Sequence, residues 1–278
     1  MLCFSGTAPA TRVAAPVFGS ATLTFGRIVI ASVLGAGALV LMHRLNAPPE
    51  RARAPAILLM GLGLAVGFPL FLALALERVP ASHGAVVIGL IPAATAVLSV
   101  LRTGERPPPR FWLGCVVGLV AVGAFTISQG HGAPQPADLW LFAAVVSCAV
   151  GYVEGGRVAQ GIGAIEALCW AMLLLSPLAV AGLAISVITR SFGDLTAGAW
   201  AGFLYAGAVS MFLGSVVWYR GLATGGIARI GQLNLAQPLL AVVWSALLLG
   251  ERISAAVPLT AVVVLAAMAL CINSRDRR

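Results

Sequence analysis

The chain has 278 residues, 60% of them hydrophobic and only 9% charged, with a mean hydropathy of +1.01. Soluble domains run near a quarter charged, so these few charges cannot cover a water-facing surface, and hydrocarbon must be a large part of the solvent. The net charge is +8, and all 17 basic residues are arginine. They fall in short breaks between apolar runs, with no stripe of basic and stacking aromatic residues, which argues against nucleic acid as a partner and for the positive-inside pattern of membrane proteins.

A spanning helix needs about 20 mostly apolar residues. In chain order, such runs cover residues 21–42, 54–76, 81–101, 111–129, 138–157, 164–187, 197–217, 229–249 and 254–273, and residues 1–14 form a tenth, shorter apolar piece. The runs are too long and too uniformly apolar for barrel strands, leaving helices as the structure that satisfies backbone groups in lipid. Gly63 and Gly67, Gly114 and Gly118, and Gly151 and Gly155 are spaced four apart, which predicts close helix packing. No cleavable signal peptide is expected at the start. The cysteines Cys3, Cys115, Cys148, Cys169 and Cys271 are scattered, without metal-ligand spacing, so neither a metal nor another cofactor is expected.

Arg44, Arg51 and Arg53, then Arg102, Arg106 and Arg110, then Arg220 and the tail arginines fall on one side of the membrane if residues 1–14 count as a span. Both termini are therefore expected in the cytoplasm, in a bacterial-type plasma (inner) membrane.

Internal similarity is the most informative feature. Pro92 precedes Glu105 by thirteen residues, and Pro238 precedes Glu251 by thirteen. Gly104-Glu105-Arg106 recurs as Gly250-Glu251-Arg252, and the two patterns lie 146 residues apart. Cys3 and Arg12-Val13-Ala14 align with Cys148 and Arg157-Val158-Ala159. The expected architecture is all-α and integral to the membrane. It has about ten transmembrane helices in two repeats of five, residues 1–130 and 137–278. Because five is odd, the second repeat enters the membrane inverted. The alignment also predicts that the first helix is truncated by roughly eight residues.

This layout, with the doubled Pro-x12-Glu-Arg pattern and Arg27 early in the second helix, resembles the EamA-type members of the drug/metabolite transporter superfamily. The resemblance implies export of small organic metabolites such as amino acids.

Polar residues within spans are costly and so form the candidate site. Gln232, Asn234 and Gln237 stand just before Pro238, which removes a donor and frees a carbonyl one turn back. They either line a hydrated cavity for a polar solute or join helices by hydrogen bonds. His83 either couples transport to protons or sits at an interface. Glu154 either binds an amine or proton or pairs locally with Arg157. Arg27 either snorkels outward or holds a carboxylate. Tyr205 and Trp170 lie deep enough to line a pathway, whereas Trp218 and Tyr219 are expected to end a span as interface anchors. Glu105 and Glu251 end helices where an acid opposes the macrodipole, so each needs an arginine partner or a neighbouring helix to cap.

The expected function is secondary transport by alternating access, with a small-molecule substrate and the lipid bilayer as partners and no enzymatic activity. The competing readings are a membrane-embedded enzyme acting on lipids and a passive channel. Scattered histidines and few acids weigh against the first. The internal duplication weighs against the second, because channels usually assemble rings of like groups.

Overall fold

The computed structural model describes residues 1–76, 78, 87–128, 136–189, 192–249 and 256–273, and among these the secondary structure is entirely helical. Five helical stretches are long and apolar enough to cross a membrane: Pro9–Leu41, Arg51–Ala75, Asp138–Ile162, Ala164–Thr189 and Ala197–Gly225. Ile91–Thr103, Pro109–Ala121 and Leu259–Asn273 are shorter apolar helices. At 1.5 Å per residue, the five reach or exceed the hydrocarbon thickness of about 30 Å.

Three departures from the sequence expectation have local causes. First, the short opening piece and the first full span form one helical run, Thr7–Leu41, interrupted only at Gly19 (φ 77°, ψ 158°). A side chain would be strained in that conformation, which makes glycine the residue that ends one helix and starts the next. Second, the 197–217 span continues as helix to Gly225, and Gly226 (φ 86°) ends it. Trp218 and Tyr219 therefore lie within a helix and are buried, not exposed as interface anchors. Gly155 makes the room, because a Cβ there would run into the Tyr219 ring. Third, the 229–249 span is broken into Ile227–Gly231, a 3-10 stretch Gln232–Ala236, and Gln237–Leu249. Two more irregularities are π-helical, Leu62–Gly67 and Tyr205–Gly214.

The chain forms two compact units, each built from three separate segments of sequence. The first contains Met1–Gly61, Glu154–Arg220 and Leu240–Glu251. Its spine is the antiparallel pair Thr7–Leu41 and Ala164–Thr189. A Cβ on Gly35 would lie 3.2 Å from the Cys169 backbone, and Gly182 accommodates the Phe25 ring. Ser32 donates to the Met172 carbonyl (2.9 Å), and Thr22 donates to Ser186 (3.2 Å). Small residues and hydroxyls are what hold apolar helices together where lipid supplies no hydrophobic drive. The Ala197–Gly225 stretch packs on the N-terminal piece, with Gly202 against the Ala10 carbonyl and Thr7 donating to Ser210 at 2.6 Å.

The second unit contains Leu62–Val153, Gly221–Leu239 and Arg252–Arg278. Here Gly63 faces the Ser147 carbonyl and the Gly151 amide, at 2.5 and 2.8 Å from where a Cβ would stand. Gly114 sits against Cys271 and the Ala267 carbonyl, and Gly118 against Leu235. The four-residue glycine spacings thus mark close approaches.

Candidate functional site

In the second unit, Gln232 and Asn234 lie in the 3-10 stretch Gln232–Ala236, and Gln237 begins the helix after it. A shift from i→i+4 to i→i+3 bonding changes where backbone groups point, and such stretches in mid-helix often mark hinges. Pro238 begins just beyond it. Proline has no N–H to donate, so the Asn234 carbonyl four residues back lacks that helical partner. The matching helix of the first sequence half behaves alike: Gly89 and Leu90 form a turn, and a regular helix starts at Ile91-Pro92.

Gln232 is buried, and its amide donates to the Pro92 carbonyl (3.0 Å) and to the Ala228 carbonyl (3.3 Å). Asn234 is buried too, and its Nδ2 donates to the Tyr152 hydroxyl at 3.3 Å. Its Oδ1 is buried without a hydrogen-bond partner. A buried carbonyl oxygen without a donor is expensive, and a group that offers a donor is the natural remedy. Gln237 is half-buried at the start of the next helix.

The same unit answers the question raised by Glu105. Its carboxylate accepts from the Ile227 amide (2.8 Å) and the Ala228 amide (2.9 Å), and Ser99 donates to it at 3.1 Å. The acid opposes the dipole of its own helix but caps the N-terminus of the sequence-distant Ile227–Gly231 helix, where a negative charge is favourable. One turn on, Arg229 donates to the Ile272 carbonyl, near the last carbonyls of the Ala256–Asn273 helix.

In the first unit, a cavity of about 340 Å³ lies between the N-terminal piece and the 197–225 stretch. Gly6, Pro9, Ala10 and Gly202 supply smooth apolar walls, and Tyr205 and Trp244 supply the rings. Both rings have their polar atoms engaged. The Tyr205 hydroxyl donates to the Cys3 carbonyl (3.2 Å) and Trp244 Nε1 donates to Ser5 (3.0 Å). The cavity thus presents an apolar interior, in keeping with most small-molecule pockets. Sequence reading named Tyr205 but missed Trp244 and the cavity. Gly198 and Gly202, spaced four apart beside an aromatic, were the available signal.

Glu154 is buried and forms an ion pair with Arg157 at 2.7 Å. Trp170 has a buried indole nitrogen with no hydrogen-bond partner. Arg27 is half-buried, and its Nε is buried without a partner. His83 and Glu251 lie outside the described residues, as does the side chain of Pro238. Among the described residues, no group of three or more His, Cys, Asp or Glu is arranged to hold a metal.

The EamA-like transporter family model matches residues 1–127 and 135–273. The chain belongs to the EamA-like transporter family. It is 39% identical over 277 residues to the uncharacterized transporter YdeK of Bacillus subtilis (strain 168), covering 100% of this chain and 94% of that protein. It is 26% identical over 252 residues to a protein named probable terminal-alkyne amino-acid exporter from Streptantibioticus cattleyicolor, covering 87% and 80% of the two chains. A solved crystal structure shares the fold with a TM-score of 0.76 at 19% identity, over 98% of this chain and 95% of that one. Family membership and the apolar helices together make this EamA-like chain a multi-pass membrane protein with a transport role.

Proposed function

We propose that this EamA-like transporter is a secondary carrier that exports small organic metabolites such as amino acids. In this reading it works by alternating access in the plasma membrane, with both termini in the cytoplasm and the two sequence repeats, 1–130 and 137–278, as inverted five-helix halves. The observation that carries the reading is Asn234. It is a buried amide on a 3-10 turn inside an apolar helix, with one oxygen that no donor satisfies. Discontinuous helices of this kind supply solute sites in carriers built from inverted repeats. The exporter name of the Streptantibioticus cattleyicolor relative supports the choice of amino acids. Proton coupling through His83 is part of the same reading.

The test compares metabolite panels from cells with the wild-type chain, with Asn234→Leu, and without the protein. The expected result is a set of amino acids enriched outside wild-type cells only, with the variant inserted at normal level. Normal export by Asn234→Leu removes the residue from the site. Counterflow in proteoliposomes separates a carrier from a channel, because a channel gives flux that does not saturate.

A further inference from the structure

Arg27 is a charge within the Pro9–Leu41 span whose Nε is buried without a hydrogen-bond partner. It stands eight residues beyond the Gly19 break, about 12 Å along the helix at 1.5 Å per residue. A cation within a spanning helix is costly unless it is paired or serves function.

The packing of the first unit shows what Arg27 has beside it. The contacts Gly35–Cys169, Ser32–Met172 and Thr22–Ser186 fix the register of the Thr7–Leu41 and Ala164–Thr189 helices. Arg27 is therefore level with Leu173–Ile185, a stretch without an acid. Glu166 lies beyond the Gly35 crossing, at the far end of that register. On the other side, Gly26 meets Phe203 and Gly207 meets Ile30, so Arg27 is level with Phe203–Gly207. That stretch holds no acid either, and its Tyr205 hydroxyl already donates to Cys3. Glu154 is occupied by Arg157 at 2.7 Å. Among the described residues, neither helix packed beside Arg27 supplies a counter-charge, and its Nε is buried without a hydrogen-bond partner. A guanidinium presents a planar fork of donors matched to a carboxylate.

We propose that Arg27 binds a carboxylate of the transported solute, so that the cargo carries an anionic group. This deepens the transport reading and rests on it. The solute completes an ion pair that the protein leaves open, and a neutral amine or amide analogue of the same shape is rejected for want of the charge.

Two arms test this on the full-length purified chain. In the first, phenylglyoxal modifies accessible guanidinium groups and mass spectrometry reads the Arg27 peptide. The probe is an equimolar mixture of neutral L-amino acids, and the control is the mixture of their amides. The expected result is several-fold protection of Arg27 by the acids and none by the amides. Equal labelling under all conditions, equal protection by the amides, or no labelling even without probe overturns the proposal. In the second arm, counterflow of the amino-acid mixture is measured in proteoliposomes with wild type, Arg27→Lys and Arg27→Gln. Losing a charge-assisted contact predicts a fall of about tenfold or more for Arg27→Gln. A partial rescue is expected for Arg27→Lys, with both variants monodisperse. Counterflow in Arg27→Gln equal to wild type overturns the carboxylate site and leaves transport standing. Selective protection of Arg27 without counterflow in the wild type overturns transport and leaves the site standing.

Discussion

The two compact units solve the same problem, polar groups in an apolar surrounding, in different ways. The first unit relies on long helices laid side by side. Its hydroxyls bridge them at intervals, Thr22 to Ser186 and Ser32 to Met172, and backbone hydrogen bonding is left to the helices themselves. The second unit combines longer helices with the short, broken run Ile227–Ala236, and its polar side chains serve that run. Glu105 caps the start of Ile227–Gly231, Gln232 ties that segment to the Pro92 carbonyl, and Asn234 reaches Tyr152 from the 3-10 turn. In hydrocarbon, an irregular backbone survives only where protein groups satisfy it. The second unit's polar residues serve the ends and breaks of its helices, whereas Thr22 and Ser32 of the first unit bridge helices away from its Gly19 break and its π-helical stretch.

The largest expected effect comes from glycine substitution, and the two units should differ in it. A Cβ on Gly63 would meet the backbone of Ser147 and Gly151, whereas one on Gly155 would meet the ring of Tyr219. Backbone cannot move aside without shifting a helix, whereas the Tyr219 ring, though fully buried, can yield by displacing side chains alone. Gly63→Ala should therefore lower stability by the larger part of the roughly 1–3 kcal/mol that overpacking costs, and Gly155→Ala by less. Thermal unfolding in detergent reads the difference. The reverse order would mean that the second unit's helices yield more easily than their close contacts suggest.

Next comes the cap. Removing Glu105 exposes two amides at the start of Ile227–Gly231, which leads straight into the amide-bearing turn. Glu105→Ala should cost about 1 kcal/mol, the usual scale of a lost N-cap. It should also reduce transport, because the position of Gln232 and Asn234 depends on where that short helix begins. Full transport with a lowered melting temperature would separate the cap from the site and weaken the link between breaks and function.

Much of the fold was legible because membrane helices obey a length rule that apolar runs display directly. The 138–157 and 164–187 spans emerged as Asp138–Ile162 and Ala164–Thr189. The breaks were less legible. Pro238 announced one, and its 3-10 turn lies immediately before it. By contrast, the π-helical stretches Leu62–Gly67 and Tyr205–Gly214 leave no mark in composition, because they depend on how neighbouring helices press on the backbone. The continuation of the 197–217 span through Trp218 and Tyr219 was hidden for the same reason. Aromatic residues near the end of an apolar run read as anchors until the partner, Gly155 from a distant part of the chain, is in place. The amides were visible as candidates from their cost in lipid. Which of their atoms go unpartnered is a property of geometry, so Asn234 Oδ1 and the cavity beside Tyr205 and Trp244 could be found only in three dimensions.

The smallest expected effect concerns the first unit's hydroxyls and bears most directly on the comparison. If Ser32 and Thr22 only bridge helices away from the breaks, Ser32→Ala and Thr22→Val should each cost only about 0.6 kcal/mol, the average for hydrogen bonds between membrane helices. Transport should be unchanged, since neither residue belongs to the candidate site. The single Ser32 hydroxyl proton is shared between the Met172 carbonyl and the Ile28 carbonyl of its own helix (2.8 Å), so removing it strands no donor. Gln232→Leu is the matched change in the second unit. It deletes the amide bonds to Pro92 and Ala228 beside a 3-10 turn, and should cost more than either hydroxyl. A loss for Ser32→Ala as large as that for Gln232→Leu would erase the distinction, because it would place the polar contacts of both units on the same footing.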